Sequence, residues 1–168
     1  MKRTAVRHRL PRSLPLFVIL VGIAALAAAF FAEYVGGLAP CPLCLMQRYP
    51  YGVAIALGIV ALMLTERPAP GRAVLALGGL ALLTSAGVAL FHVGVEWHWW
   101  AGLASCSGAI DFSLPAEQLT KQLLEAPVVR CDQVPWSLFG LSIAGYNVLY
   151  GGAVGLLTLW AASRRWDR

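Results

Sequence analysis

Four long runs of apolar residues dominate the chain, and most charged residues lie outside them. The runs cover about residues 14–32, 49–64, 73–95 and 138–162. An α-helix rises about 1.5 Å per residue, so about 19 residues cross the ~30 Å hydrocarbon core of a bilayer. Within lipid the backbone must satisfy its own hydrogen bonds, which favours helices over open chain. We therefore predict an all-α membrane protein, a bundle of four transmembrane helices in a single membrane domain, residues 1–168.

The first apolar run also admits a second interpretation. Basic residues followed by an apolar run and alanines are typical of a cleaved secretory signal peptide. This run is longer than the roughly 7–15 residues of a signal core, however, and three further runs follow it. A spanning helix is the favoured interpretation, with cleavage as its alternative.

Composition agrees with a membrane protein, since 59% of the 168 residues are hydrophobic and 12% are charged. A soluble domain usually has about twice that charged fraction. The formal net charge of +5 does not indicate nucleic-acid binding, because the basic residues do not form a stripe on one surface. They lie at the chain ends and in one short connection, where they determine membrane topology.

The distribution of Lys and Arg predicts the orientation of the helices. Ten of these residues fall on one side of the predicted membrane: Lys2, Arg3, Arg7, Arg9, Arg12, Arg67, Arg72, Arg164, Arg165 and Arg168. Three fall on the other side: Arg48, Lys121 and Arg130. Positive residues remain in the cytoplasm, so we expect both termini to be cytoplasmic and segments 33–48 and 96–137 to be exported. Four tryptophans then lie near the outer interface, as is typical of indoles: Trp97, Trp99, Trp100 and Trp136.

All four cysteines fall in the two exported segments. Cys41 and Cys44 form a C-x-x-C pair in the first segment, and Cys106 and Cys131 lie in the second. Placement of every cysteine on the oxidising side indicates disulfide chemistry.

Two other interpretations of the cysteines stay open. The first is a zinc site, which usually needs four ligands, often from two C-x-x-C pairs, although the second pair here lacks that spacing. Leu45 excludes the C-x-x-C-H signature of haem attachment. Structural disulfides that staple the exported loops, in a non-catalytic membrane subunit, are the second alternative.

The surroundings of Cys44 favour a reactive thiol. Pro50 suits a first helical turn, so we expect the second helix to start just after Cys44. The positive end of a helix stabilises a nearby thiolate, and Arg48 lies four residues further on, on the same face. A side chain that extends to lipid headgroups is the alternative role for Arg48.

This pattern resembles the DsbB family of bacterial inner-membrane thiol oxidases over nearly the whole chain. The resemblance rests on the four spans, on the Cys-Pro-Leu-Cys motif with Arg48, on the loop cysteine pair and on the Trp-Ser-Leu-Phe-Gly-Leu sequence at 136–141. The related vitamin K epoxide reductases carry their membrane-proximal C-x-x-C after the loop pair, whereas here it comes first. The resemblance implies a DsbA-like thioredoxin-fold partner in the periplasm and a membrane quinone, ubiquinone or menaquinone, as electron acceptor.

The resemblance also implies roles for individual residues. Cys106 is expected to form a mixed disulfide with the partner, and Cys131 to exchange with Cys41. Cys44 is then expected to interact with the quinone, with Arg48 stabilising the anion. His92, near the outer end of the third span, matches a histidine near the family's quinone pocket, although a solvated interfacial histidine is the alternative.

Several further residues are expected to be structural. Glu96 and His98 mark the end of the third helix, Asn147 is placed to bond a neighbouring helix, and Gly151 with Gly155 forms a small-xxx-small packing face. Apolar positions in the second exported segment predict one short helix on the membrane surface: Ala116, Leu119, Leu123 and Leu124.

The chemistry also follows without the resemblance. Reoxidising a dithiol removes two electrons, and the sequence has no G-x-G-x-x-G or P-loop motif to hold a nucleotide cofactor. An acceptor dissolved in the bilayer is the simplest choice. Together with this acceptor, the resemblance implies a protein-dithiol:quinone oxidoreductase in the bacterial inner membrane, with a vitamin K-type reductase or a paralogue that uses another partner as the alternative enzyme.

Overall fold

The structure is a computed structural model that describes residues 9–103, 106, 114–125 and 129–164, with the backbone alone at 122, 123 and 125. In chain order its elements are α1 (Ser13–Tyr34), α2 (Pro42–Met46), α3 (Arg48–Met63), α4 (Pro68–Glu96), α5 (Ala116–Glu125), β1 (Ser137–Leu138), β2 (Leu141–Ser142) and α6 (Ile143–Ser163). The basic residues at positions 2, 3, 7, 165 and 168, which contributed to the predicted orientation, lie outside the described residues.

Within the part of the chain that the structure describes, four stretches of helix are long and apolar enough to cross a membrane. They are α1, the stretch Pro42–Met63 that combines α2 and α3, α4, and α6. The prediction of an all-α protein with four spanning helices is confirmed.

The helix α4 lies in the middle of the bundle. It packs most extensively along α6, then along α3, while α1 packs mainly against α3. Buried apolar side chains from all four long helices form the core, together with Leu10: Val18, Tyr51, Ala54, Ala61, Leu75, Leu82, Val154 and Ala162. Lipid is as apolar as these side chains, so close packing holds such helices together.

Small residues allow α4 and α6 to approach closely. A Cβ at Gly155 would lie 2.8 Å from the Leu83 side chain and 3.1 Å from the carbonyl oxygen of Gly79. At Gly151 it would lie 3.3 Å from the carbonyl oxygen of Leu82. The predicted packing face of these two glycines is therefore confirmed, and α4 is its partner.

The fourth spanning helix begins later than the apolar run at 138–162 indicates. It starts at Ile143, because the residues before it form an antiparallel hairpin of β1 and β2. Phe139 and Gly140 make its two-residue turn with φ of 51° and 78°, the backbone of a type I′ turn. The Ser142 hydroxyl then caps the helix by accepting a hydrogen bond from the backbone N–H three residues on.

The third spanning helix begins earlier than the run at 73–95 indicates. It starts at Pro68, since proline is well suited to a first helical turn. The added turn places Arg72 beside the end of α6, where its Nε donates to the Ala162 carbonyl at 2.7 Å and its Nη2 to that of Ser163 at 3.0 Å. Arg72 thus satisfies two carbonyls that the end of a helix leaves free.

The predicted helix in the second exported segment is present as α5. Leu124 is 82% exposed, Leu119 is half-buried, and the side chain of Leu123 lies outside the described residues. A position for α5 on the membrane surface stays a prediction.

The close approach of α4 and α6 generates a test of the packing. We expect Gly155→Ala to lower the free energy of unfolding by about 1–3 kcal/mol, because the added methyl group overpacks the contact with Gly79 and Leu83. Thermal unfolding in detergent measures this loss. Gly152→Ala is the matched control on the same helix, because a Cβ at Gly152 meets nothing within 4 Å. Equal unfolding temperatures for the two variants would contradict the packing described above.

Candidate active site

The first cysteine pair lies at the start of a helix. Cys41 is the N-cap of α2, and its sulfur accepts a hydrogen bond from the backbone N–H of Cys44 at 3.2 Å. Pro42 occupies the first helical turn. The long helix α3 starts at Arg48, just after Cys44 as expected, but a short helix that was not expected precedes it, starts at Pro42 and contains Cys44. Both thiols are free, and their sulfurs lie 2.7 Å apart.

Cys41 and Cys44 differ in their surroundings. Cys41 is buried, whereas Cys44 is half-buried. The hydrogen bond to the Cys44 side chain, followed by burial, raises the pKa of the Cys41 thiol. Cys41 is therefore the weaker acid of the two thiols.

The second cysteine pair is a disulfide packed against the first pair. Cys106 and Cys131 are bonded to each other, and both are buried. They share one apolar cluster with Cys41, Leu43 and Val95, which brings the two pairs together at one end of the bundle. Two segments far apart in sequence therefore form one site.

Cys106 also borders a small cavity of about 120 Å³. The cavity lies beyond the end of α4, and its walls include Val95, Trp100, Gly102 and Asp132. Cys131 does not border it.

His92 lies between the two pairs. Its Nε2 is 3.6 Å from the Cys41 sulfur and 3.2 Å from the Cys131 carbonyl oxygen, and the residue is 4% exposed. A carbonyl oxygen only accepts hydrogen bonds, so Nε2 carries a proton. Its Nδ1 then accepts from the Gln47 amide at 3.0 Å. The ring is buried and both of its nitrogens have hydrogen-bond partners, so His92 is not the solvated interfacial histidine of the alternative interpretation.

A chain of polar side chains continues from His92 across the bundle. Gln47 Oε1 accepts from Asn147 Nδ2 at 2.6 Å, and Asn147 Oδ1 accepts from the Tyr51 hydroxyl at 2.5 Å. Asn147 Nδ2 also lies 3.2 Å from the Ser85 hydroxyl, which donates to the Gln47 carbonyl at 2.8 Å. The expectation that Asn147 bonds a neighbouring helix is confirmed, since it links α6 to α3 and α4.

Glu96 has a larger part in the site than an end-of-helix marker. It is buried, its Oε2 accepts from the Ser142 hydroxyl at 2.5 Å, and its Oε1 lies 3.8 Å from His92 Nε2. The expectation that Glu96 merely ends the helix is wrong because its side chain turns inward. His98 is exposed and follows the helix with φ of 58°.

Arg48 begins α3 and binds across to α1. Its Nη1 lies 2.5 Å from Glu33 Oε2, and its guanidinium lies 5.0 Å from the centre of the Phe30 ring. The side chain is 16% exposed. Arg48 is thus held one helical turn beyond Cys44 by two side chains of α1, which is a more specific arrangement than a cation extending freely towards headgroups.

The arrangement suits thiol exchange better than a metal centre. The ligating atoms of Cys41, Cys44 and His92 lie within 4.8 Å of one another. A closed zinc site needs four ligands, and a histidine ligand needs a lone pair on the nitrogen that faces the ion. Here the facing nitrogen carries a proton, and the sulfurs lie beside a disulfide.

Several residues of the site were missed in the sequence. Gln47, Ser85 and Ser142 are buried, and Tyr51 and Glu33 are partners of residues already singled out. A helical spacing signal exists for one of them, because Tyr51 follows Gln47 by four residues and falls on the same face. The others depend on contacts between helices.

Comparison with known proteins agrees with this geometry. The family described as "Disulfide bond formation protein DsbB" matches residues 11–161. A protein named "Disulfide bond formation protein B" from Azoarcus sp. (strain BH72) is 30% identical over 92% of this chain and 92% of its own length. A protein of the same name from Verminephrobacter eiseniae is 33% identical over 93% of this chain and 88% of its own length. No solved structure matches the chain significantly.

Proposed function

Because the chain belongs to the DsbB family of disulfide bond formation proteins, we propose that it is a thiol oxidase that passes electrons from a protein dithiol to a membrane quinone. The protein dithiol is that of a periplasmic, DsbA-like thioredoxin-fold protein. One observation carries the proposal: two cysteine pairs share a buried cluster, and His92 Nε2 contacts both the Cys41 sulfur and the Cys131 carbonyl oxygen.

The first exchange takes place at the loop pair. A thiolate of the partner attacks the Cys106 sulfur, the Cys106–Cys131 bond breaks, and the electron pair leaves on the Cys131 sulfur. The cavity beside Cys106 supports this choice of target, since it offers space for an incoming side chain. Cys131 is held beside the first cysteine pair by the hydrogen bond that its backbone carbonyl accepts from His92 Nε2.

The second exchange carries the electrons inward. When the first pair is oxidised, the Cys131 thiolate attacks the Cys41 sulfur, and the Cys41–Cys44 bond breaks with the electron pair on Cys44. The shared cluster of both pairs supports this step. Cys44, which is half-buried, is the sulfur from which electrons leave the protein.

The residues around Cys44 fit a quinone. A quinone accepts two electrons and two protons when bound, and it combines an apolar body with carbonyl oxygens that accept hydrogen bonds. Leu45 and Met46 beside Cys44 are 43% and 44% exposed, so they offer an apolar surface towards lipid. Arg48 would hold a carbonyl oxygen with N–H groups of its guanidinium that Glu33 does not use.

The proposed location is the bacterial inner membrane, with both termini in the cytoplasm and the cysteine loops in the periplasm. The chain start and the connection between α3 and α4 lie together, since Arg9 pairs with Glu66 at 3.0 Å and the Leu10 N–H bonds to the Thr65 carbonyl. This end of the bundle is the one with the excess of Lys and Arg, which supports the orientation.

Topology can be tested with reporter fusions. Fusions after Arg168 and at Arg67 should report the cytoplasm, and a fusion at Gln118 should report the periplasm, because basic segments are not exported. Alkaline phosphatase and fluorescent-protein activities measure the two sides. A cytoplasmic report at Gln118 would remove the cysteines from the oxidising compartment and contradict the proposed function.

The role of Cys106 can be tested by trapping. In Cys131→Ala the loop disulfide cannot form, and the free Cys106 thiolate instead attacks the disulfide of an oxidised DsbA-like protein, whose second sulfur leaves as a thiolate. Because the thiol at position 131 that would resolve this mixed disulfide is gone, the disulfide-linked complex should accumulate. Mass spectrometry of non-reduced peptides should locate the link at Cys106, and Cys106→Ala is the matched control in which no complex forms. A link at Cys41 or Cys44 would reverse the proposed order of electron flow. Two inert structural disulfides, the alternative of a non-catalytic subunit, would form no complex at all.

The role of Arg48 can be tested with quinone titrations. Lys has no planar fork, so Arg48→Lys should lose a charge-assisted hydrogen bond of about 1.5–3 kcal/mol. The apparent KM for ubiquinone or menaquinone should rise by about one to two decades, provided that KM follows binding. Exchange between the partner and the loop pair should change little, since that step is remote from Arg48.

Glu33→Gln separates two causes of that effect. It keeps a hydrogen-bond acceptor for Arg48 but removes the ion pair. If Glu33→Gln raises KM as much as Arg48→Lys, the effect comes from the ion pair between α1 and α3, and direct contact of Arg48 with the quinone is contradicted.

A further inference from the structure

A chain of hydrogen-bonded side chains runs from Ser85 through Asn147 and Gln47 to His92. The contacts at its two ends fix which atoms along it donate and which accept. At one end the Ser85 hydroxyl donates its only proton to the Gln47 backbone carbonyl, so its oxygen can only accept from Asn147 Nδ2. At the other end the Cys131 carbonyl can only accept from His92 Nε2. Both ends require the same orientation of the two amides.

Between these ends, the orientation of each amide side chain determines which atom of the next group donates and which accepts. Asn147 turns its Nδ2 to Gln47 Oε1 and its Oδ1 to the Tyr51 hydroxyl, and Gln47 therefore turns its Nε2 to His92 Nδ1. An amide nitrogen donates only, so Nδ1 must be the unprotonated nitrogen of the ring.

We propose that Gln47 and Asn147 are positioning residues that hold His92 as the neutral tautomer with its proton on Nε2, aimed at the Cys41 sulfur and the Cys131 carbonyl. His92 thereby serves the exchange between the two cysteine pairs. This inference rests on the proposed function, because it assigns a role within that exchange.

This N–H assists the release of Cys41 as a thiolate from its disulfide with Cys131. After the second exchange, a disulfide joins Cys41 to Cys131. The second thiolate of the electron donor attacks the donor's own sulfur in the mixed disulfide, so the donor leaves as a disulfide and Cys106 is released as a thiolate. The Cys106 thiolate then attacks the Cys131 sulfur, the Cys106–Cys131 bond forms, and the Cys41–Cys131 bond breaks. The electron pair leaves on the Cys41 sulfur, which His92 Nε2–H stabilises from 3.6 Å.

The same N–H also holds the loop in place. Its hydrogen bond to the Cys131 carbonyl ties that segment to α4 beside the first pair. Glu96 Oε1, at 3.8 Å from Nε2, is a further acceptor on this side of the ring and agrees with a proton there. The wrong tautomer would turn a lone pair towards two acceptor groups.

The tautomer itself can be observed without partner or quinone. In the full chain with His8→Gln and His98→Asn, His92 is the single histidine, and its two ring nitrogens are separated by ¹⁵N NMR in detergent. We expect protonated Nε2 and unprotonated Nδ1. In Gln47→Glu the carboxylate still accepts from Asn147 but cannot donate to the ring, so Nδ1 should become protonated. Protonated Nδ1 in the parent protein, or an unchanged ring in Gln47→Glu, would overturn the inference.

The exchange can be measured with dithiothreitol as the electron donor and no quinone. Protein with both pairs oxidised is mixed with dithiothreitol, quenched with acid and alkylated, and mass spectrometry follows the appearance of Cys41 and Cys44 thiols. Direct reduction of the first pair is measured in Cys131→Ala and subtracted. Gln47→Met and Asn147→Leu, which keep the side-chain size but lose the amide, should slow the exchange by at least about threefold, since the leaving thiolate is less stabilised.

A matched control separates positioning from stability. Thr158→Val on α6 also removes a buried hydrogen bond, but this bond lies within the helix, from the Thr158 hydroxyl to the Val154 carbonyl. It should leave the exchange rate unchanged.

The outcomes distinguish this inference from the function on which it rests. Absence of exchange in the parent protein would overturn the proposed function and the inference with it. Normal exchange in the parent protein with an equal rate in Gln47→Met would overturn the inference alone. An equal loss in Thr158→Val would assign the effect to general destabilisation and would also overturn it.

Discussion

Buried polar side chains between the spanning helices have to find their hydrogen-bond partners inside the protein, and the site depends on that constraint. A polar group without a partner in an apolar environment costs roughly 2–7 kcal/mol. Among the described residues, every buried side-chain nitrogen and oxygen has a partner. Gln47, Asn147 and His92 meet this requirement through one another, so each fixes the orientation of the next. A bundle that could tolerate an unpaired amide would not fix the ring of His92.

The close packing of α4 against α6 is what makes this network possible. Gly79 and Gly155 let the two backbones approach, and Gly151 lies one turn beyond Asn147, opposite the Tyr51 hydroxyl. If these glycines were larger residues, α6 would lie further from α4 and Asn147 would not reach Gln47. The glycines therefore contribute to the geometry of the candidate site by setting the distance between α4 and α6.

The sequence was sufficient for the four helices, because long apolar runs are a strong signal, and for the grouping of the cysteines, because all four fall between those runs. It was insufficient where partners come from other helices. Glu96 resembles an ordinary polar residue at a helix end, and only its contact with Ser142 reveals that it turns inward. Gln47 likewise resembles an interfacial side chain until His92 and Asn147 are placed beside it.

The predicted start of the fourth spanning helix is wrong for a different reason. The segment 138–142 is nearly as apolar as the helix that follows, so hydrophobicity alone merges the two. A hairpin here requires positive φ at Phe139, which that residue type does not favour, and only Gly140 signals a turn.

The two sides of the loop disulfide differ in a way that would give the proposed electron flow a direction. Cys131 is tied on the inner side by its carbonyl bond to His92, and on the outer side its neighbours Arg130 and Asp132 form a two-pronged ion pair at 2.9 and 2.5 Å. Cys106 instead borders a cavity. In the proposed exchange, an incoming thiolate would therefore have room at Cys106, and the sulfur that it would release is that of Cys131, which is held beside the first pair. If Cys131 bordered the cavity and Cys106 were held beside the first pair, the proposed exchange would run through the two sulfurs in the opposite order.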